Sequence, residues 1–362
     1  MNTPAWLPAL DDAAYAASPR AVEQALGRDI LRLQDVAALV SPAAETYLED
    51  MAQAARASTL RHFGRAVLLF TPLYVSNFCQ NSCRYCGYSA QVAMPRRKLS
   101  LEEVAAQGER IAATGLRHLL LLTGEAPAIA GSSYIEDCLR TLAPRFPGLA
   151  LEVYPLTSEE YDRAISAGAS ALTLYQETYD PQVYAQMHPA GPKADYLWRL
   201  LAPERAAAAG MPAVTLGALL GLAPWRAEVV ALVAHAWWLL ERYPGVEVGV
   251  SLPRIRPHAG GFVAPFPVSE RHLVQALLAL RLALPMCSIT LSTRERPLVR
   301  DGLVGVAVTK LSAGVRTTVG DEEGSAQFAI ADTRSVAEVA AMLRCRGLQP
   351  VFKDWQPVGR CA

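Results

Sequence analysis

Apolar residues fall in short unbroken runs along most of this chain, and polar stretches with helical spacing separate them. The runs lie near 66–76, 117–123, 149–155, 171–177, 213–219, 247–253, 288–293 and 304–311, as in "AVLLFTPLYVS" and "ALTLYQE". Runs this short, bounded by turn residues, predict strands buried on both faces. The intervening stretches carry helix signals. "SLEEVAAQGERIAATG" has a capping box from Ser100 to Glu103 and a stop at Gly115, and "TSEEYDRAISAG" is capped by Thr157 with Glu160. Eight strands alternating with helices over residues 65–330 predict a closed (β/α)8 barrel, with a doubly wound open sheet as the second reading. Residues 1–64 lack strand patterning and read as a helical segment, with a helix start at Ser41–Pro42. Residues 331–362 read as a terminal helix and a short extension that closes one end of the barrel.

Chemistry in such a barrel belongs at the C-terminal ends of the strands. Cys79 follows the first run, Glu125 follows the second, Tyr154 ends the third, and Gln176 and Glu177 end the fourth. Arg254 and Arg256 follow the sixth, Arg294 the seventh, and Ser312 the eighth.

Charge narrows the partners. The 362 residues hold 34 basic and 34 acidic side chains, with no basic stripe, which argues against nucleic acid or an anionic membrane as partner. The longest apolar stretch, "VVALVAHAWWLL" at 229–240, is shorter than the roughly 18 residues of a membrane span. The acidic N-terminus has no basic leader region, so a cytoplasmic protein is expected.

Three of the seven cysteines, Cys79, Cys83 and Cys86, stand within "NFCQNSCRYCGYSA", while Cys138, Cys287, Cys345 and Cys361 are scattered. A structural zinc site needs a fourth Cys or His, and none lies between residues 63 and 117. An ordinary ferredoxin cluster also needs four cysteines. Inert thiols prefer apolar surroundings, and this loop is rich in Asn, Ser and Arg. The remaining reading is a 4Fe-4S cluster with one iron free of any protein ligand.

The pattern Cys-x-x-x-Cys-x-x-Cys, with Tyr85 before the last cysteine, resembles the signature of the radical S-adenosylmethionine (SAM) superfamily. "LYVSNFCQNSCRYCGYS", "HLLLLTGE", "YQETY", "LGALLGL", "SLPRIRP", "LSTRE" and "LQPVFKDW" resemble, in order, the 2-iminoacetate synthase family of tyrosine lyases. The resemblance implies a 4Fe-4S cluster on Cys79, Cys83 and Cys86, with SAM chelating the open iron. It also implies that Tyr85, Glu125, Glu177 and Arg199 bind SAM, and that Arg294, Ser312 and Tyr74 hold the substrate. L-tyrosine would be cleaved between Cα and Cβ, giving 2-iminoacetate (dehydroglycine) and p-cresol for thiamine biosynthesis, while SAM becomes 5′-deoxyadenosine and methionine. Thiazole synthase and a flavodoxin- or ferredoxin-type reductant are the implied partners. Loops and the N-terminal helices are expected to cover the barrel mouth. Related lyases act on tryptophan, giving 3-methyl-2-indolic acid, or on tyrosine in hydrogenase maturation. The latter carry a second cysteine cluster, whereas Cys345 and Cys361 are too far apart for a CxxC pair. A non-catalytic zinc barrel is the remaining alternative. After "LSAG" the family commonly runs to Gly-Gly-Tyr; here "VRTTVGDEEGSAQF" (315–328) stands instead, which leaves the side-chain choice open between tyrosine and another aromatic amino acid.

Overall fold

The computed structural model describes residues 4–8, 15–320 and 324–353. Cys361, the acids at 321–323 and the end of "LQPVFKDW" lie outside these residues. Eight parallel strands form the barrel: β1 Ala66–Ser76, β2 His118–Thr123, β3 Gly148–Glu152, β4 Ala171–Glu177, β5 Ala213–Ala218, β6 Glu247–Ser251, β7 Ser288–Leu291 and β8 Lys310–Ser312. Each strand pairs with the next. Closure comes from β1, which takes β2 along Thr71–Ser76 and β8 along Leu68–Phe70. The continuous apolar runs therefore bury both faces, one against the barrel interior and one against the surrounding helices.

The connecting helices start as the sequence predicts. The Ser100–Glu103 and Thr157–Glu160 capping boxes both form, satisfying the first orphan amides of helices Leu101–Ala113 and Ser158–Ser166.

The eighth strand differs from expectation. Only Lys310–Ser312 is strand, and "VGVAV" before it is a buried turn in which Gly305 adopts φ 76°. These apolar side chains are buried without a ladder because other partners take the turn's carbonyls. Thr59 Oγ1 donates to Val306 at 2.7 Å, and Arg281 donates to Ala307 at 2.9 and 3.2 Å.

Residues 33–63 form helices Leu33–Val40 and Leu48–Phe63, with a 3-10 turn between them. They lie on the barrel's flank and not over its mouth. Gln275 donates to the carbonyls of Leu39 and Ser41, and Arg226 to that of Val40. At the other end of the chain, helix Val336–Cys345 leads to β9, Gln349–Val351, which pairs with the first residues of β1. Phe352 C=O then accepts from Arg117 N–H, so β9 extends the β1–β2 seam at the end opposite the mouth.

Two strands are irregular where they reach the mouth. The register slips between Tyr74 and Ser76 in β1 and between Tyr175 and Glu177 in β4. Such bulges re-aim side chains at a barrel rim. Both strands deliver residues to the site.

Candidate active site

The loop after β1 is shaped by its own polar residues. Arg96 donates to four carbonyls, those of Asn77, Tyr88, Ser89 and Val92, at 2.7–3.0 Å. Asn77 holds the returning chain by accepting from Arg97 N–H and donating to Pro95 C=O. The loop is then fastened to its neighbours: Gln80 N–H donates to Glu125 C=O, Ser82 N–H to Ala190 C=O, and Arg84 N–H to Met187 C=O. Gly124 makes the first of these approaches possible. A Cβ there would stand 2.4 Å from the Phe78 carbonyl oxygen and 3.1 Å from Cys79 Cβ.

This packing turns Cys79, Cys83 and Cys86 into one cavity of about 640 Å³ at the barrel mouth, together with Glu125, Glu177 and Arg199. A second cavity of about 570 Å³ adjoins it and holds Arg256, Arg294 and Phe328. Cys86, Glu152, Tyr175, Glu177, Lys193 and Gln327 line both. Together the two make one bipartite mouth.

The charges in the wall are arranged in pairs. Glu177 takes Lys193 Nζ at 2.7 Å and Arg199 Nη2 at 3.2 Å, both on the same oxygen. Burial alone would push this carboxyl up; the two cations outweigh it and hold it down at about 2. Arg199 also donates from Nε to Tyr175 C=O. Glu125 accepts from Asn81 Nδ2 at 2.6 Å, and Asn81 Oδ1 accepts from Lys193 N–H. Tyr85 O–H meets His188 Nε2 at 2.8 Å, while His188 Nδ1 lies 2.8 Å from Tyr184 C=O. A carbonyl only accepts, so Nδ1 carries the proton and Nε2 accepts from Tyr85. Burial lowers His188 to about 3, keeping this tautomer neutral.

Residues 73–231 match the radical SAM superfamily, and residues 251–349 match the biotin and thiamin synthesis associated domain. The 2-iminoacetate synthase of Escherichia coli (strain K12) is 40% identical over 339 residues, 92% of this chain and 90% of that protein. The chain belongs to the 2-iminoacetate synthase family of radical SAM enzymes. HydG, a maturase of the [FeFe]-hydrogenase, has the same fold at a TM-score of 0.90 and 32% identity, covering 94% of this chain and 78% of that one. HydG from Carboxydothermus hydrogenoformans superposes at 0.86, also with 32% identity, covering 92% and 79%.

Radical SAM enzymes use a 4Fe-4S cluster and SAM, and the donor set here fits both. The three cysteines share a cavity in which, among the described residues, neither a fourth cysteine nor a histidine takes part. No three Cys, His, Asp or Glu side chains among the described residues stand close enough for one metal ion. Burial pushes the Cys83 thiol up to about 12, and Cys86 rises for the same reason with Cys79 adding repulsion. These thiols therefore ionise only against a strongly positive partner such as iron.

Of the SAM-site residues expected from sequence, Glu125, Glu177 and Arg199 all line the first cavity, and all are buried. Tyr85 lines the second. The substrate residues are divided. Arg294 lines the second cavity, its guanidinium 3.4 Å above the Phe328 ring. Tyr74 lies behind the wall and donates to Gln327 Oε1 at 3.0 Å. Ser312 lines neither cavity; its hydroxyl accepts from Thr293 N–H at 3.1 Å, and its carbonyl accepts from buried Arg300. Arg254 and Arg256 both bind Glu295, which fixes the residue beside Arg294.

Sequence reading passed over Lys193, Gln327 and Glu152. Lys193 and Gln327 sit in loops without a pattern. Glu152 did leave a signal, as the one acid within the apolar run "LALEVYPL".

Proposed function

We propose that the chain cleaves the Cα–Cβ bond of L-tyrosine, releasing 2-iminoacetate and p-cresol while SAM is split to 5′-deoxyadenosine and methionine. The observation that carries this reading is the double cavity, with three cysteines on one side, Arg294 on the other and a shared wall between them. A 4Fe-4S cluster on Cys79, Cys83 and Cys86 supplies, with SAM, reductive cleavage of a sulfonium bond and a 5′-deoxyadenosyl radical. The chain's residues do the positioning. Glu125, oriented by Asn81 Nδ2, presents an acceptor to the SAM amino group, and the Glu177–Arg199 pair faces its ribose and carboxylate. Arg294 offers a planar fork to the carboxylate of an amino acid, held flat by Phe328. Tyr74 keeps Gln327 in place, and Ser312 orders the Thr293–Arg294 backbone.

The name of the 40%-identical relative supports tyrosine as substrate. Tryptophan is the runner-up, because part of loop 315–328 departs from the family's sequence. Imines hydrolyse in water, so a thiazole synthase that consumes the product fits this chemistry. A flavodoxin- or ferredoxin-type protein fits as electron donor. Unpaired thiols and a reduced cluster favour the cytoplasm. No helix among the described residues is long and apolar enough to cross a membrane. The unit from residue 65 to 330 is proposed as the catalytic barrel, flanked by segments 1–64 and 331–362.

Anaerobic reconstitution with SAM, a reductant and either tyrosine or tryptophan tests the reading. Tyrosine-dependent p-cresol with matching 5′-deoxyadenosine is expected, and both are lost in Cys83→Ala. Methylindolic acid from tryptophan, without p-cresol from tyrosine, would overturn it.

A further inference from the structure

Glu152 ends β3 and lines both cavities, yet its carboxylate makes no hydrogen bond or ion pair among the described residues. Across the second cavity Arg294 is in a similar state, with its guanidinium on the Phe328 ring and no carboxylate partner among the described residues. Two opposite charges thus face one pocket without pairing with each other. A zwitterion matches that layout, with its carboxylate on Arg294 and its ammonium on Glu152.

The chemistry requires more than binding. Hydrogen removal from an ammonium nitrogen would leave a radical cation. Removal from a neutral amine leaves an aminyl radical, whose adjacent Cα–Cβ bond breaks to give the imine. The N–H bond of an ammonium is harder to break homolytically than that of an amine, so loss of the proton first eases the abstraction.

We propose that Glu152 receives the ammonium of the amino-acid substrate and takes the proton that leaves it before hydrogen abstraction. The proposal rests on the amino-acid lyase reading above. In this step one N–H bond breaks heterolytically, its electron pair stays on nitrogen, and an O–H bond forms on Glu152. No electron is transferred.

The other groups facing Glu152 are Tyr74 and Tyr175, Glu177, Lys193 and Arg199, and Arg294. Glu177, Lys193 and Arg199 are bound to one another. Tyr74 donates to Gln327, and burial raises both tyrosines beyond use as bases near neutrality. Glu152 is left as the acceptor. Burial, partly offset by Arg294, holds it at about 7, close to the value that makes a general base efficient at neutral pH.

Two variants, Glu152→Gln and Glu152→Asp, test the proposal in the reconstituted enzyme. Calorimetry with tyrosine and with 3-(4-hydroxyphenyl)propionate, which lacks the amino group, separates ammonium binding from pocket damage. Glu152→Gln is expected to weaken tyrosine about 10-fold and leave the deamino analogue within about 2-fold. Product formation should fall about 100-fold, with the acidic limb of the wild-type rate profile near pH 7 missing. Glu152→Asp should restore that limb and part of the rate. Equal weakening of both ligands, or an unchanged profile in Glu152→Gln, would overturn the proposal. If wild-type enzyme cleaves neither aromatic amino acid, the lyase reading itself fails, which is a separate result.

Discussion

Lys193 Nζ lies 2.7 Å from Glu177 Oε1, and Glu177 has φ 74°, the one positive value among described residues other than glycine. That backbone conformation costs on the order of 1–3 kcal/mol and persists only where surroundings enforce it. Two cations on one carboxylate oxygen provide the enforcement. The strained residue thereby turns its carboxylate into the cavity at the end of β4.

Lys193→Met should expose this coupling. In the wild type the depressed Glu177 carboxyl adds stability above its ordinary value of 4.5, and that contribution fades as pH falls from 4.5 toward 2. With Lys193 gone, burial acts against Arg199 alone, so the folded-state value rises, the contribution shrinks and its fade ends at a higher pH. Thermal melts of the cluster-free protein should show a loss of about 1–3 kcal/mol near neutrality. The loss relative to wild type should narrow on acidification. Identical melts at every pH would refute the coupling.

Arg294 gives a test of substrate grip. Arg294→Lys keeps the charge but loses the fork and the flat stacking on Phe328, so KM for tyrosine should rise about 30-fold or more. Cluster absorbance and SAM binding should survive, because Arg294 lines only the second cavity. A KM within about 2-fold of wild type would move the carboxylate site elsewhere.

Gly124→Ala should damage the cluster without touching a ligand. The new methyl meets the Phe78 carbonyl and Cys79 Cβ, neither of which can swing aside like a long side chain. Iron content after reconstitution should fall well below four per chain. Full iron loading would show that the loop yields more easily than this packing indicates.

Tyr85→Phe removes the donor to His188 Nε2 and leaves a buried acceptor unmet. The expected cost is about 1–2 kcal/mol in a denaturant melt. His188→Phe in the same background should recover part of it, since both polar partners are then gone. No recovery in the double variant would mean that the pair acts separately.

Much of this architecture was legible in the sequence because parallel barrel strands are apolar on both sides and stand out as runs. The sequence pattern makes the eighth strand too long, since a buried turn and a buried strand show the same apolar string. What separated them was Thr59 and Arg281, which satisfy the turn from distant positions. The three cysteines are legible from spacing, and Glu125 and Glu177 from their places at strand ends, whereas Glu152 at the end of β3 is passed over. Lys193 is not legible either, because its role depends on a loop folding back onto Asn81 and Glu177. The Ser312 hydroxyl accepts from Thr293 N–H, a contact between strand ends that no sequence pattern marks. The helices of residues 33–63, expected over the mouth, are held to the flank by Gln275 and Arg226. Such polar contacts between sequence-distant elements leave no periodic trace.

Arg96, by clasping four carbonyls of the cysteine loop, bears on what shapes the cluster site. Small metal domains are often disordered until their ion arrives and then fold around it. Here the socket is built from the chain's own hydrogen bonds and mounted on a finished barrel. The position of the three thiols is thus set in part by a guanidinium that bonds none of them.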